Sequence, residues 1–197
     1  MLRWYQQDLK SKINQAWSDG AENVMGVLPT GGGKTRLFSN IVNDERDPSC
    51  AIAHRNELVG QISLAYAQEG LRHRIIAPKR TVAGIIRAQI EETGRNYVDP
   101  TAPAAVAGVD TLIRLDASDP WFKRVRLWVQ DEGHHLLREN KWGTAAAMFP
   151  NARGLAVTAT PLRADGQGLG RHADGLIDAL AVGVGMRELM AEGYLTD

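Results

Sequence analysis

Apolar residues follow two spacings along the chain, and their order predicts helices alternating with strands. Tyr5, Leu9, Ile13 and Trp17 recur at every fourth position, which is typical of one face of a helix over residues 3–18. Short continuous apolar runs predict buried strands, and they occupy residues 24–28, 49–53, 73–77, 104–107, 125–130, 155–157 and 176–182. Segments with helical character lie between them, at residues 36–42, 56–68, 80–92, 109–115, 141–148 and 186–190.

This order predicts an α/β fold with a mostly parallel central sheet and helices on both faces. Strands that alternate with helices pair in parallel through right-handed crossovers, and continuous apolar strands fit a sheet that is covered on both sides. In the helix at 56–68, Leu58, Ile62 and Ala65 are expected to share the buried face. Open sheets of this kind bind ligands at the carboxyl ends of their strands, so functional side chains are expected there.

The first predicted strand leads into a phosphate-binding pattern, Pro29-Thr30-Gly31-Gly32-Gly33-Lys34-Thr35. Three glycines let consecutive N–H groups point inward as an anion nest, and the helix that follows adds the positive end of its dipole. Lys34 can reach the β- and γ-phosphates of a nucleotide, and the Thr35 hydroxyl can bind Mg²⁺. The strict pattern has a glycine where this chain has Leu28, and the alternative is a plain glycine-rich loop.

A second candidate site follows the strand predicted at 125–130, where the chain reads Asp131-Glu132-Gly133-His134-His135. A carboxylate at a strand end beside a phosphate loop can hold Mg²⁺, directly or through water. An adjacent carboxylate can orient and deprotonate the attacking water. Asp131 is therefore expected to bind the metal and Glu132 to act as the base. Two alternatives stay open: an ordinary solvated acidic pair, or a metal site in which the two histidines join the acids.

Composition narrows the class of protein and its partners. Lys plus Arg and Asp plus Glu both number 23, so the formal net charge is zero, and the overall basic charge of many nucleic-acid-binding proteins is absent. The single cysteine, Cys50, excludes an internal disulfide framework and is expected to be a small buried residue. No apolar stretch approaches the length of a membrane span, and the amino terminus lacks a signal-peptide pattern. We therefore expect no membrane partner and a cytoplasmic location.

Taken together and in this order, the motifs resemble those of the first RecA-like domain of superfamily 2 DEAD/DEAH-box-like helicases. Thr30 to Thr35 matches the Thr-Gly-x-Gly-Lys-Thr motif of that family, in which the early glycine is often missing. Residues 131–134 are a variant of its Asp-Glu-x-His box, and Thr158-Ala159-Thr160-Pro161 matches the motif that couples hydrolysis to domain movement. Residues 163–170 resemble a glycine-rich tail seen in restriction-type and repair-type motors.

The resemblance also implies roles for residues that the patterns alone leave undecided. Arg3 and Gln6 resemble an adenine-reading motif, with Arg3 stacking on the base and Gln6 hydrogen-bonding it. His54, Arg55 and Thr111 resemble two motifs that contact the nucleic-acid backbone, and their donors suit phosphates without reading bases.

Two groups of residues then complete the site that the resemblance implies. His134, Thr158 and Thr160 would couple hydrolysis to movement, and Lys34 would join Asp131 and Glu132 as a catalytic residue.

The expected function is an ATP-dependent nucleic-acid motor that uses ATP and Mg²⁺, with DNA favoured over RNA as the partner. The resemblance makes residues 1–197 the first RecA-like domain, with 163–197 a mobile loop and a last strand and helix leading toward a second such domain. That second domain supplies γ-phosphate arginines in the family, so weak nucleotide binding and slow hydrolysis are expected without it. A regulatory module that keeps the motor fold but lacks productive hydrolysis is the main alternative, and a small-molecule kinase is a further one.

Overall fold

The computed structural model describes residues 1–133, 136–161, 170 and 175–194. The strands of this part of the chain are β1 (Asn23–Val27), β2 (Ser49–Ala53), β3 (His73–Ile76), β4 (Ala104–Gly108), β5 (Leu127–Asp131), β6 (Arg153–Thr158) and β7 (Ala179–Val182). Its helices are α1 (Trp4–Ser18), α2 (Lys34–Asp44), α3 (Asn56–Gln68), α4 (Lys79–Thr93), α5 (Val109–Leu112), α6 (Pro120–Arg124), α7 (Lys141–Ala147) and α8 (Met186–Ala191). Every predicted strand is therefore present, with no end shifted by more than three residues. The glycine-rich loop expected at 163–171 lies almost wholly outside the described residues.

The seven strands form one sheet in the order β3-β4-β2-β5-β6-β1-β7. Every pair of neighbouring strands is parallel, which confirms the α/β prediction. Most strands that are neighbours in the sheet are not consecutive in the chain, because helices connect β1 through β6 across one face of the sheet or the other. None of the described helices has the length and apolar character needed to cross a membrane.

Helices cover both faces of the sheet, and each face has its own core. The first core lies between the sheet and α1–α4 and α8, and the four regularly spaced residues of α1 are buried in it, as predicted. The second core lies between the sheet and α5–α7 and contains Leu112, Phe122 and Trp142. Cys50 is fully buried there, as its apolar surroundings predicted. The two cores cover both faces of the sheet, so the ends of its strands are the part that remains accessible to a ligand.

The buried face of α3 differs from the prediction. Leu58 and Ala65 are only partly buried, whereas Val59, Ser63 and Tyr66 are fully buried. The helix packs against α2 and α4 as well as against the sheet, so its buried surface is rotated by about one position from the predicted stripe. The spacing rule missed this because Ser63 is polar, and its hydroxyl is buried only because a partner reaches it.

That partner belongs to a buried polar cluster that joins α3, β3 and α4. The Ser63 hydroxyl lies 2.7 Å from His73 Nε2, and Gln89 Nε2 donates to the same hydroxyl at 2.8 Å. His73 Nδ1 lies 2.8 Å from the Leu71 carbonyl oxygen, and Gln89 Oε1 accepts from the Tyr97 N–H. Burial lowers the pKa of His73 to about 4, although the Leu71 carbonyl opposes the shift. The cluster is therefore built for a neutral imidazole.

We predict that acid destabilises the fold through His73. An unfolded histidine has a pKa near 6.5, so between about pH 6.5 and pH 4 the unfolded chain binds a proton that the folded chain rejects. The stabilisation is complete above this window, and about 3 kcal/mol is lost across it, from the shift at about 1.4 kcal/mol per pKa unit. Urea unfolding from pH 7 to pH 4 should show a steeper loss for the wild type than for His73→Gln. Parallel pH profiles for the two proteins would contradict the prediction.

We also predict that the sheet does not tolerate a methyl group at Gly154. A Cβ there would lie 2.0 Å from Trp128 Cζ2 and 2.4 Å from Asn23 Oδ1, because the Trp128 ring crosses β6 at this residue. Gly154→Ala should lower the free energy of unfolding by about 2–3 kcal/mol through overpacking. Gly84→Ala is the matched control: its Cβ would meet nothing within 4 Å, so it should raise stability by about 0.5–1 kcal/mol as a helix substitution. Equal effects of the two substitutions would show that the clash is relieved by rearrangement.

Candidate nucleotide-binding site

Parallel pairing brings the predicted site segments to one edge of the sheet. Val27 pairs with Thr158, and Asp131 pairs with Val157. Strands β1 and β5 are separated by β6 alone, which corresponds to about 10 Å at the usual strand spacing. The phosphate loop, the acid pair and the Thr158 segment therefore leave the sheet side by side, as their common position after a strand predicted.

Each glycine of the phosphate loop meets a different steric demand. Gly31 and Gly33 have φ values of 79° and 82°, in the left-handed region that favours glycine. At Gly32, a Cβ would lie 2.8 Å from Leu28 Cγ and 3.0 Å from the Pro29 carbonyl oxygen. Leu28 is fully buried and packs beneath the loop. Leu28, which departs from the strict glycine pattern, therefore supports the loop through packing.

Lys34 and Thr35 are the first two residues of α2, directly after Gly33 at its N-cap. This places the lysine charge, the threonine hydroxyl and the unpaired N–H groups of the helix start at the sheet edge. Both residues are partly buried, so their polar atoms are held near the edge and still reachable. These are the groups that a bound triphosphate with Mg²⁺ requires.

Asp131 stands at the end of β5, where opposing influences act on its carboxyl group. Burial raises its pKa, and the neighbouring Glu132 carboxylate raises it further. The Glu132 N–H donates to Asp131 Oδ1 at 3.0 Å, and this bond and the charges of Lys34 and His54 lower the pKa. The effect of Lys34 on this pKa agrees with the strand register, which brings the loop and the acid pair to the same edge. A half-buried carboxylate beside a negative neighbour gains from a cation, so the donor set fits Mg²⁺.

Glu132 departs from the extended conformation of β5, which ends at Asp131. Its φ is 56°, the one positive value outside glycine among the described residues, so the chain turns sharply after Asp131. Such a conformation costs about 1–2 kcal/mol for a residue with a Cβ. Gly133 then packs closely on the sheet, where a Cβ would lie 2.6 Å from Ala156 Cβ. The two acids are separated by this turn and not by the pleat of a strand.

Gln6 binds the phosphate loop itself in this structure. Its Nε2 donates to the Gly32 carbonyl at 3.0 Å and to the Gly33 carbonyl at 3.2 Å. Its Oε1 accepts from the Arg3 N–H at 2.9 Å, which caps the start of α1 from the third helical residue. Gln6 is 2% exposed, so it links α1 to the loop from inside the fold. The spacing of apolar residues gave no signal of this contact.

Arg3 lies beside Gln6 but points toward α8. Its guanidinium carbon is 4.8 Å from the centre of the Tyr194 ring, and Nη1 donates to the Tyr5 hydroxyl at 3.0 Å. Sequence reasoning missed Tyr194, and the available signal was Gly193, a residue typical of the end of a helix.

The expected backbone-contact residues follow the two strands beyond β5. His54 and Arg55 come after β2, and Thr111 lies in α5 after β4. Arg55 is exposed, and Thr111 is partly buried. The centre of the His54 ring lies 6.1 Å from the centre of the Trp142 ring. His54 also lowers the pKa of Asp131, so it lies near the acid pair as well as near the proposed backbone contacts. Their role in nucleic-acid binding stays a prediction.

The expected coupling residues are only partly described. The Thr158 hydroxyl donates to the Thr160 carbonyl at 3.0 Å and accepts from the Thr160 N–H at 3.2 Å, which closes a tight turn after β6. His134 lies outside the described residues, and so does His135. Among the residues that are described, no group of three or more His, Cys, Asp or Glu could hold a metal ion. The alternative metal site includes both of these histidines, so it stays an untested hypothesis.

Two further features of the described chain bear on the choice of site. A cavity of about 550 Å³ opens at the opposite edge of the sheet, between Trp17, Trp128 and Phe149, but it has neither a glycine loop nor paired acids. Gln130, just before the acid pair, is fully buried, and neither of its amide atoms has a hydrogen-bond partner in the described part of the chain. An unsatisfied buried amide costs about 1–3 kcal/mol.

Comparison with known proteins places the chain in a family. The family described as Type III restriction enzyme, res subunit, matches residues 1–163. Over 196 residues, the chain is 28% identical to a Saccharomyces cerevisiae protein named ATP-dependent helicase IRC3, covering 90% of this chain and 26% of that protein. The chain thus spans about a quarter of this relative, 26% of its length.

Solved structures share the fold at low sequence identity. The UvsW helicase from bacteriophage T4 is 15% identical with a TM-score of 0.62, covering 91% of this chain and 59% of that one. The Type ISP restriction-modification enzyme LlaGI, solved with a DNA substrate mimic, is 12% identical with a TM-score of 0.68, covering 98% of this chain and 21% of that one. The fold is therefore that of RecA-like helicase domains. Because the family matches residues 1–163, the chain belongs to the Type III restriction enzyme res-subunit family, a restriction-type branch of the superfamily 2 helicases.

Proposed function

We propose that this chain binds ATP with Mg²⁺ and hydrolyses it as the first motor domain of a DNA helicase or translocase. The observation that carries the proposal is the convergence of Lys34, Asp131 and Glu132 at one sheet edge beside the glycine loop. A regulatory module without hydrolysis would not need the strained turn that separates Glu132 from Asp131. Cytoplasmic location and the span of the domain over residues 1–197 remain part of the proposal.

The roles of the residues follow from their positions. The N–H groups of the loop and of the α2 start, together with Lys34, bind the phosphates. Thr35 and Asp131 would hold Mg²⁺, which neutralises charge on the phosphates when it is bound. Glu132 accepts a proton from the attacking water and orients it. Phosphoryl transfer needs little covalent chemistry from the protein, so positioning and charge supply most of the rate.

The proposed partners follow from the same sheet edge. Arg55 and Thr111 lie after neighbouring strands β2 and β4, where a nucleic-acid backbone could contact both. LlaGI, with the same fold, was solved with a DNA substrate mimic, which supports DNA as the partner. A second RecA-like domain would complete the nucleotide site, and we expect only slow hydrolysis without one.

We predict that Glu132→Gln separates hydrolysis from binding. Removing a general base should lower single-turnover phosphate release by about 100-fold or more. The affinity for a fluorescent ATP analogue should stay within about twofold of the wild type, because Glu132 acts on the attacking water and not on the phosphates. Lys34→Ala should weaken binding and hydrolysis together, because the lysine contacts the phosphates directly. Glu91→Gln, the same chemical change at an exposed position of α4, is the control. An unchanged rate in Glu132→Gln, with and without DNA, would favour the regulatory module.

We predict that Arg55 contributes one backbone contact to DNA binding. Arg55→Ala should weaken binding to duplexes of different sequence by the same factor. It should also reduce the slope of log K against log salt by about one. Arg46→Ala, at an exposed arginine before β2 and thus at the opposite edge of the sheet, should leave both quantities unchanged. Equal effects of the two substitutions would place the DNA elsewhere.

A further inference from the structure

The carboxyl end of α8 is fixed against the start of α1 by a compact set of contacts. Gly193 has a φ of 73°, and the Tyr194 N–H donates to the Leu189 carbonyl at 2.8 Å, which is the pattern of a Schellman C-cap. Leu189 is fully buried in the same core as α1. The cap therefore fixes the position of the Tyr194 backbone, and with it the place of the ring on the protein.

At that place, Tyr194 contacts Arg3 and Tyr5 at the start of α1. The Arg3 guanidinium carbon lies 4.8 Å from the centre of its ring. The Tyr5 ring approaches at 5.3 Å between centroids with an interplanar angle of 65°. Trp4 Nε1 donates to Glu192 Oε2 at 2.9 Å, which adds a second link between the two helices.

These contacts restrict a side chain that would otherwise be free to move. Arginine has many rotamers, and Arg3 is exposed, so its guanidinium would sample several directions without support. The Tyr194 ring supports one face of the guanidinium, and the Tyr5 hydroxyl accepts from its edge. Gln6, three residues after Arg3, binds the phosphate loop. The guanidinium is thus held at a fixed place near the nucleotide site.

We propose that Tyr194 is a positioning residue for the nucleotide base: it backs the Arg3 guanidinium, which offers its remaining face to a purine ring. A guanidinium stacks on aromatic faces through its planar, delocalised charge. A Tyr–Arg–base stack therefore needs the tyrosine ring as a rear support. The inference rests on the proposed function, since it assumes that a nucleotide occupies the phosphate loop.

The experiment compares a ligand that has a base with one that lacks it. ATP and inorganic tripolyphosphate, each with Mg²⁺, compete with a fluorescent nucleotide for the whole chain. Tyr194→Ala should raise the Kd of ATP about three- to tenfold, the range expected for loss of a partly exposed cation–π support. The Kd of tripolyphosphate should stay within about twofold of the wild-type value, because this ligand has no base and the substitution leaves the contacts of the phosphate loop unchanged.

Matched variants separate base positioning from simple packing. Tyr194→Phe keeps the ring and should bind ATP like the wild type, whereas Tyr194→Leu keeps most of the volume and should behave like Tyr194→Ala. Should Tyr194→Ala not fold, the Leu variant provides the same comparison. Trp4→Phe removes the bond to Glu192 without touching the Arg3 stack, so its ATP affinity should be unchanged.

The outcomes distinguish the inference from the function beneath it. Equal losses for ATP and tripolyphosphate, or no loss for either, would overturn the role of Tyr194. If the wild type binds both ligands and Lys34→Ala weakens both, the proposed function survives that result. If the wild type binds neither ligand, or Lys34→Ala has no effect, the proposed function itself fails.

Discussion

The site depends first on the register of three parallel strands, β1, β6 and β5. Their ladder pairs Val27 with Thr158 and Asp131 with Val157, so the loop and the acid leave the sheet at the same height. A shift of one residue in β5 would turn every side chain of that strand to the other face. Leu127 and Val129 would then leave the first core, and Trp128 would leave the second. The two cores therefore enforce the register, and the register positions the chemistry.

Three features of the end of β5 are locally unfavourable or tightly constrained. Gln130 is buried without a hydrogen-bond partner among the described residues, Glu132 has a left-handed backbone conformation, and Gly133 sits where no Cβ would fit. Strained and unsatisfied groups persist only when the surrounding structure determines them. Here β2 and β6 flank β5 on both sides, and an apolar core packs on each face. The rigid surroundings let the acid pair keep a conformation that local preferences disfavour.

The start of α1 connects parts of the site that are distant in sequence. Gln6 binds the carbonyls of the phosphate loop, while Arg3 contacts Tyr194 at the end of α8. One short segment therefore touches both the loop that holds phosphates and the last described helix. Because Gln6 uses both ends of its amide within the protein, any contact that it makes with a base must compete with those bonds. The hydrogen bonds of Gln6 thus connect the packing of α1 directly to the phosphate loop.

The sequence by itself determined the α/β class, the strands and their order along the chain, and the residues of the loop and acid pair. It could do so because apolar spacing and glycine-lysine-threonine chemistry are local properties of the chain. Only the tertiary structure decided four further features. They are the buried face of α3, the packing of Leu28 beneath the loop, the hydrogen bonds from Gln6 to the loop and the contact between Arg3 and Tyr194. Each of these joins residues that are far apart in sequence or faces a neighbouring helix, and spacing along one segment carries no information about what packs against it.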